Sequence, residues 1–157
     1  MKKFFFDCGT RDGQASLGIA ALRAMVGLMM LIGHGIPKIY SYAAAKELFP
    51  VPGFFPFSLM SAPLSMMACI FAEVVAAALI IIGLATRPAA FILGFTMVVA
   101  AFSYHGSAPW FVKPPTIMDA KELALMYLIP MIALILTGAG AYSLDSTLYR
   151  DPKRRRW

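Results

Sequence analysis

Charge is scarce in this chain. Only 14% of its 157 residues are charged and 60% are hydrophobic, with a mean hydropathy of +0.73, whereas a soluble domain carries roughly 25% charged residues. So little polar surface cannot cover a water-facing globule, which excludes a soluble fold. Cysteine is nearly missing too. Cys8 and Cys69 are the only two and form no Cys-x-x-Cys, so thiol–disulfide exchange by paired cysteines is not supported. One falls in the amino-terminal tail and the other inside an apolar run, too far apart to bridge, and Cys69 reads as a small packing residue. Motifs for flavin, iron–sulfur or nicotinamide binding are absent, as is a glycine-rich phosphate cradle. Such a chain cannot complete a redox cycle alone. There is no internal repeat or low-complexity tract, and the length has room for one domain, 1–157.

What the sequence has in quantity is long apolar runs. Four of them cover approximately 15–36, 63–84, 88–105 and 122–140, the third being the shortest and the fourth containing Pro130. A membrane-spanning helix needs ~17 to 25 residues. The expected fold is therefore all-α, an integral membrane four-helix bundle with antiparallel neighbours. Gly83-Leu84-Ala85-Thr86-Arg87-Pro88 stops one helix at a glycine and restarts the next at a proline, which predicts a tight hairpin between the second and third spans. Between the first two spans, 37–62 holds Pro50, Pro52 and Pro56 among Phe49, Phe54, Phe55 and Phe57. Proline removes helix donors while the aromatics favour the headgroup region, so this stretch reads as an interfacial loop. Trp110 and Phe111, between Pro109 and Pro114, suggest a second loop on the same side.

Phe4-Phe5-Phe6 is too short for a signal-peptide core, and cleavage of the first span at Ala43 to Ala45 would need a long c-region containing Pro37 and Lys38. The first span is thus expected to stay. Nine cationic residues (Lys2, Lys3, Arg11, Arg87, Arg150, Lys153, Arg154, Arg155 and Arg156) fall on one side of a four-span chain, against Lys38, Lys46, Lys113 and Lys121 on the other. This asymmetry predicts both termini in the cytoplasm, with a basic tail at 150–157. The net charge of +6 is then an orientation signal that requires no nucleic acid.

The ionisable residues at membrane depth are the candidate site. Arg23 lies inside the first span and Glu73 near the middle of the second, and each is costly to insert alone, by at least ~2.5 kcal/mol. Counting from the span ends puts them within ~4 to 5 Å in depth, so the expectation is a direct ion pair. Arg23, Gly27, His34 and Lys38 share one stripe of a regular helix, and Cys69 and Glu73 share another. His34, Lys38, His105 and Glu122 are expected to meet at the outer mouth, above Arg23 and Glu73.

Arg23, Gly35-Ile36-Pro37-Lys38, Glu73, Gly83-Leu84-Ala85-Thr86-Arg87, Gly138-Ala139-Gly140 and Ser143-Leu144-Asp145, in that order across nearly the whole chain, resemble the DoxX family. The family is named for a small membrane subunit associated with archaeal thiosulfate:quinone oxidoreductase and terminal oxidase complexes. The resemblance implies a four-helix inner-membrane protein with a redox association. Related eukaryotic DoxX-like proteins include assembly factors for receptors, which implies a non-enzymatic alternative.

Three functions follow. In a quinone-associated redox subunit, Arg23 would polarise a carbonyl while Glu73, His34 or Glu122 relays protons. In an assembly factor, the polar face would recognise another membrane helix. In a haem-binding bundle, His34 and His105 would be axial ligands. No metal site is otherwise expected. The implied partners are the lipid bilayer and a membrane or redox protein, and a homo-oligomer is compatible with all three.

Overall fold

The structure is a computed structural model describing residues 8–10, 12–114 and 119–148. The basic tail at 150–157, and Lys2, Lys3 and Arg11 of the orientation count, lie outside the described residues. Regular structure among the described residues is helical. Three helices are long and apolar enough to cross a membrane: α1 (Gly13–Ala45), α2 (Ala62–Ile82) and α3 (Thr86–Tyr104). They are followed by α4 (Lys121–Thr137) and the short α5 (Leu144–Leu148).

Helix α1 starts where its backbone donors are met, since the Asp12 side chain accepts from the Ala15 amide at 2.8 Å. It does not end near Ile36 as expected but runs through Pro37 to Ala45, so the first loop is shorter than 37–62. A wide π-helical turn, Leu31–Gly35, sits just before Pro37. Such a turn loosens the preceding carbonyls, which is what a proline ring needs to stay inside a helix. At 33 residues, α1 is about 50 Å long and exceeds a ~30 Å hydrocarbon core.

The α2–α3 turn is built as the sequence predicts. Gly83 takes a left-handed conformation, its amide donates to Ile80, and the Leu84 amide donates to Leu79, which together close a Schellman motif. Helix α3 begins at once. Its first amides are bonded by Asp145, whose carboxylate accepts from Ala85 at 2.7 Å and from Thr86 at 3.0 Å. Asp145 is itself 1% exposed, and its amide donates to the Gly83 carbonyl.

Small residues let the helices approach closely. A Cβ on Gly27 would meet the Ile81 side chain at 2.5 Å, and one on Gly35 would lie 2.8 Å from the Glu73 carbonyl. These contacts set the antiparallel register of α1 on α2. Gly94 likewise faces Met131, at the extensive contact of α3 with α4. Helix α4 also touches α1, and the buried core is largely alanine, with Met30, Ile80, Leu93, Met97, Met131 and Leu134. The amino-terminal segment closes one end: Cys8 is buried and its carbonyl accepts from the Gly140 amide at 2.8 Å.

Gly83 should be the least replaceable residue of the turn, because a Cβ there would lie 2.1 Å from Nη1 of Arg23 on a left-handed backbone. Gly83→Ala should lower stability by at least ~1 to 2 kcal/mol. Gly18→Ala, at a helical position with open space, should be neutral or slightly stabilising. Thermal unfolding in detergent compares the two, and equal midpoints would refute this account of the turn.

Candidate functional site

Arg23 and Glu73 do not pair. Arg23 is buried, and its guanidinium donates to the carbonyls of Ile80 (3.1 Å), Ile81 (3.4 Å) and Tyr142. It therefore caps the carboxy-terminal carbonyls of α2, where a cation meets the negative end of the helix dipole. Its acidic neighbour is Asp145. The error in the expected pairing has a geometric cause. Gly35, not Arg23, lies opposite Glu73, and the twelve residues from Arg23 to Gly35 separate them by about 18 Å. Helical side chains also lean toward the amino terminus, which carries the Arg23 head further from Glu73.

The same lean brings Lys38 onto Glu73. The ammonium donates to both carboxylate oxygens, at 2.7 and 2.6 Å, and the Cys69 thiol donates to Oε1 at 3.3 Å. Glu73 is 5% exposed and Lys38 26%, so the carboxylate is the buried member. Glu73 thus accepts three hydrogen bonds, two of them from the lysine, whose ammonium has three donors in all.

This pair lies on the wall of a cavity of about 770 Å³ lined by α1, α2, α3, α4 and the 49–60 segment. Its lining is largely apolar, and the polar exceptions include His34, Cys69, Tyr127 and His105. The His34 ring packs edge-on against Tyr127, with centroids 5.4 Å apart. His105 stands at the end of α3, its Nδ1 2.7 Å from Asp119. Ser65 fixes the covering segment by donating to the Pro50 carbonyl at 2.8 Å.

Wide turns shape this cavity. Each of α1, α2 and α3 contains one: Leu31–Gly35 carries His34, Phe71–Ala76 carries Glu73, and Ala100–Tyr104 delivers His105. A π turn adds one residue and shifts the phase of all that follows. On α1 the buried residues run Arg23, Gly27, Met30, Gly35, so the last step is five residues. His34 is consequently turned off the α1–α2 seam and exposed, and the continuous stripe expected through Arg23, Gly27, His34 and Lys38 is broken.

Of the six candidate residues, His34, Lys38, Glu73 and His105 line the cavity, while Arg23 and Glu122 do not. Glu122 does not join the others at a mouth. It accepts from the Val112 amide at 2.9 Å and staples the α3–α4 connection. Lys121 beside it is buried, donates to the carbonyls of Gly106 and Ala108, and sits over the Trp110 ring at 5.4 Å. Sequence reasoning missed the cavity role of Tyr127, which has no polar neighbours in sequence to mark it. The Cys69–Glu73 contact was signalled by their four-residue spacing.

The fold and this site define a helical membrane protein with a polar pair in a largely apolar cavity. Residues 18–106 match the DoxX family, and the chain belongs to that family. The match covers α1 to α3, including Lys38, Cys69 and Glu73, and stops before Tyr127 and Asp145. An uncharacterized protein of Haemophilus influenzae is 32% identical over 132 residues, 84% of this chain and 91% of that one. A second uncharacterized protein of the same organism is 28% identical over 116 residues, 74% of this chain and 72% of its own length. No solved structure matches.

Stability should separate the two charged clusters. Glu73→Leu and Lys38→Met should each cost about 3 kcal/mol, less in combination than their sum, because each alone strands a charge. Arg23→Leu with Glu73→Leu should instead add within about 0.5 kcal/mol. Unfolding in detergent micelles measures both cycles. Coupling of Arg23 to Glu73, or none between Lys38 and Glu73, would contradict the geometry.

Proposed function

We propose that the chain is a single four-span domain of the cytoplasmic membrane, both termini inside, whose cavity holds the head of a membrane quinone for a redox partner. The observation that carries this reading is the Lys38–Glu73 pair on the wall of a largely apolar cavity. Its volume lies within the range of small-molecule sites. The pair is neutral overall, which favours an uncharged ligand over an anionic headgroup. With two of its donors engaged, the ammonium has one left for a carbonyl oxygen.

A bound quinone supplies reversible two-electron chemistry coupled to proton uptake. In this chain, Lys38 would orient a carbonyl and Glu73 would hold Lys38 in place. Cys69 in turn fixes the carboxylate. His34 and Tyr127, whose rings meet at 5.4 Å on the cavity wall, are the groups able to pass a proton there. Electrons come from or go to the partner, because the sequence has no motif for a carrier of its own. The four-span reading is supported by α4, which is apolar, about 26 Å long and packed along α3.

Haem has one observation in its favour: His34 and His105 line the same cavity.

Protein purified gently from its membrane should retain a quinone detectable by mass spectrometry, and Lys38→Met should lower the occupancy of the folded protein about tenfold. A Soret band lost in His34→Ala would favour haem instead. Full expression with no small molecule and a specific co-purifying membrane protein would favour the assembly role. For topology, reporter fusions at Arg87 and at the carboxy terminus should both report the cytoplasm, and a periplasmic signal from either would overturn the orientation.

A further inference from the structure

Several apolar residues of the cavity wall are also exposed. Phe71 on α2 is 54% exposed, and Phe91, Ile92 and Phe95 on α3 are 63%, 39% and 37% exposed, yet all four line the cavity. A cavity wall this accessible does not seal the cavity from its surroundings. In a membrane its outer side meets acyl chains. At the Lys38 end the 49–60 segment lies over part of the cavity, and Tyr104 and Leu123 on the wall there are exposed as well, at 61% and 51%. There Ser65 holds Pro50, and the Phe57 ring lies 5.4 Å from that of Phe95.

Polarity is graded along the same axis. Counted from the α2–α3 turn, Glu73 is ten residues from Gly83 and Phe91 only five from Thr86, so Phe91 sits about 8 Å further toward the turn. The groups able to bind a polar head, Lys38, Glu73 and Cys69, lie on the side of Phe91 away from that turn. The wall toward Phe91 offers aromatic and aliphatic surface.

Resting on the quinone reading, we infer that the cavity fills sideways from the bilayer, between α2 and α3. Its ligand is a membrane-borne amphiphile with an uncharged carbonyl head at Lys38 and a long hydrocarbon tail lying over Phe91 and Ile92. A tailless head arriving from water gains nothing from this surface. The tail is therefore a specificity determinant, and the α2–α3 wall is its binding surface as well as its route.

The test compares a quinone bearing a ten-carbon tail with the same headgroup lacking a tail, on the full chain in nanodiscs, with affinities corrected for partition into protein-free discs. The tailed compound should bind at least tenfold more tightly. Phe91→Ser and, independently, Ile92→Ser should each weaken it several-fold and leave tailless binding unchanged, whereas Lys38→Met should weaken both compounds. Equal corrected affinities, or wall variants that alter both compounds alike, would overturn lateral filling while leaving the quinone reading intact. If neither compound binds and none co-purifies, the quinone reading itself fails, and this inference with it.

Discussion

The structure depends on how the backbone groups at the α2–α3 turn are satisfied. Consecutive antiparallel helices leave unpaired carbonyls on one side of the turn and unpaired amides on the other, and an apolar surrounding makes both costly. Arg23 donates to the carbonyls and Asp145 accepts from the amides, one reaching in from α1 and the other from the segment after α4. Gly83 makes room for the guanidinium. The turn thereby ties α1, α2, α3 and the carboxy-terminal segment to a common point. Register follows from it: with Arg23 at the end of α2, Gly27 must face Ile81 and Gly35 must face Glu73. Lys38, one turn beyond, then leans back onto the carboxylate. The site is a consequence of the knot.

Away from the knot the helices depart from regularity. Three π turns lie around the cavity and none occurs beside Gly83. Each trades good hydrogen-bond geometry for a change of phase. On α1 that change exposes His34 and accommodates Pro37. On α2 it falls at the buried carboxylate, which needs three donors around it. The capped turn and the cavity thus lie at opposite ends of the same helices, so the cavity end can be irregular without loosening the register that positions it.

Hydropathy made the first three spans legible, and Gly83 with Pro88 marked the hairpin, because length in apolar residues and turn chemistry are local properties. The carboxy-terminal end of α1 was not legible. Pro37 is ordinarily a stop, and the π turn that admits it leaves no signature in Leu31–Gly35 that periodicity could reveal. Pairing Arg23 with Glu73 failed for a related reason. It treated charges as the groups needing partners and ignored helix-end carbonyls, which are equally unable to stay unpaired in hydrocarbon. Glu122 was misjudged in the same way, since a backbone amide at Val112 takes the carboxylate that was expected at a mouth. In each case the missing partner was main chain, which the sequence does not display.

A carboxylate buried to this degree is also informative about what the cavity can hold. Glu73 accepts from Lys38 twice and from Cys69 once, so its charge is answered without the ligand. A cavity built for a cation would leave the carboxylate underused, and one built for an anion would leave the lysine unopposed. Here the two are balanced, and the remaining capacity is a single donor in apolar surroundings. In low dielectric that donor is a strong director of a neutral acceptor, while the aromatic walls discriminate by area rather than by charge. Under the proposed function, orientation and affinity come from different parts of the wall, the polar pair fixing which end of the ligand it meets and the α2–α3 face fixing how much of it is held.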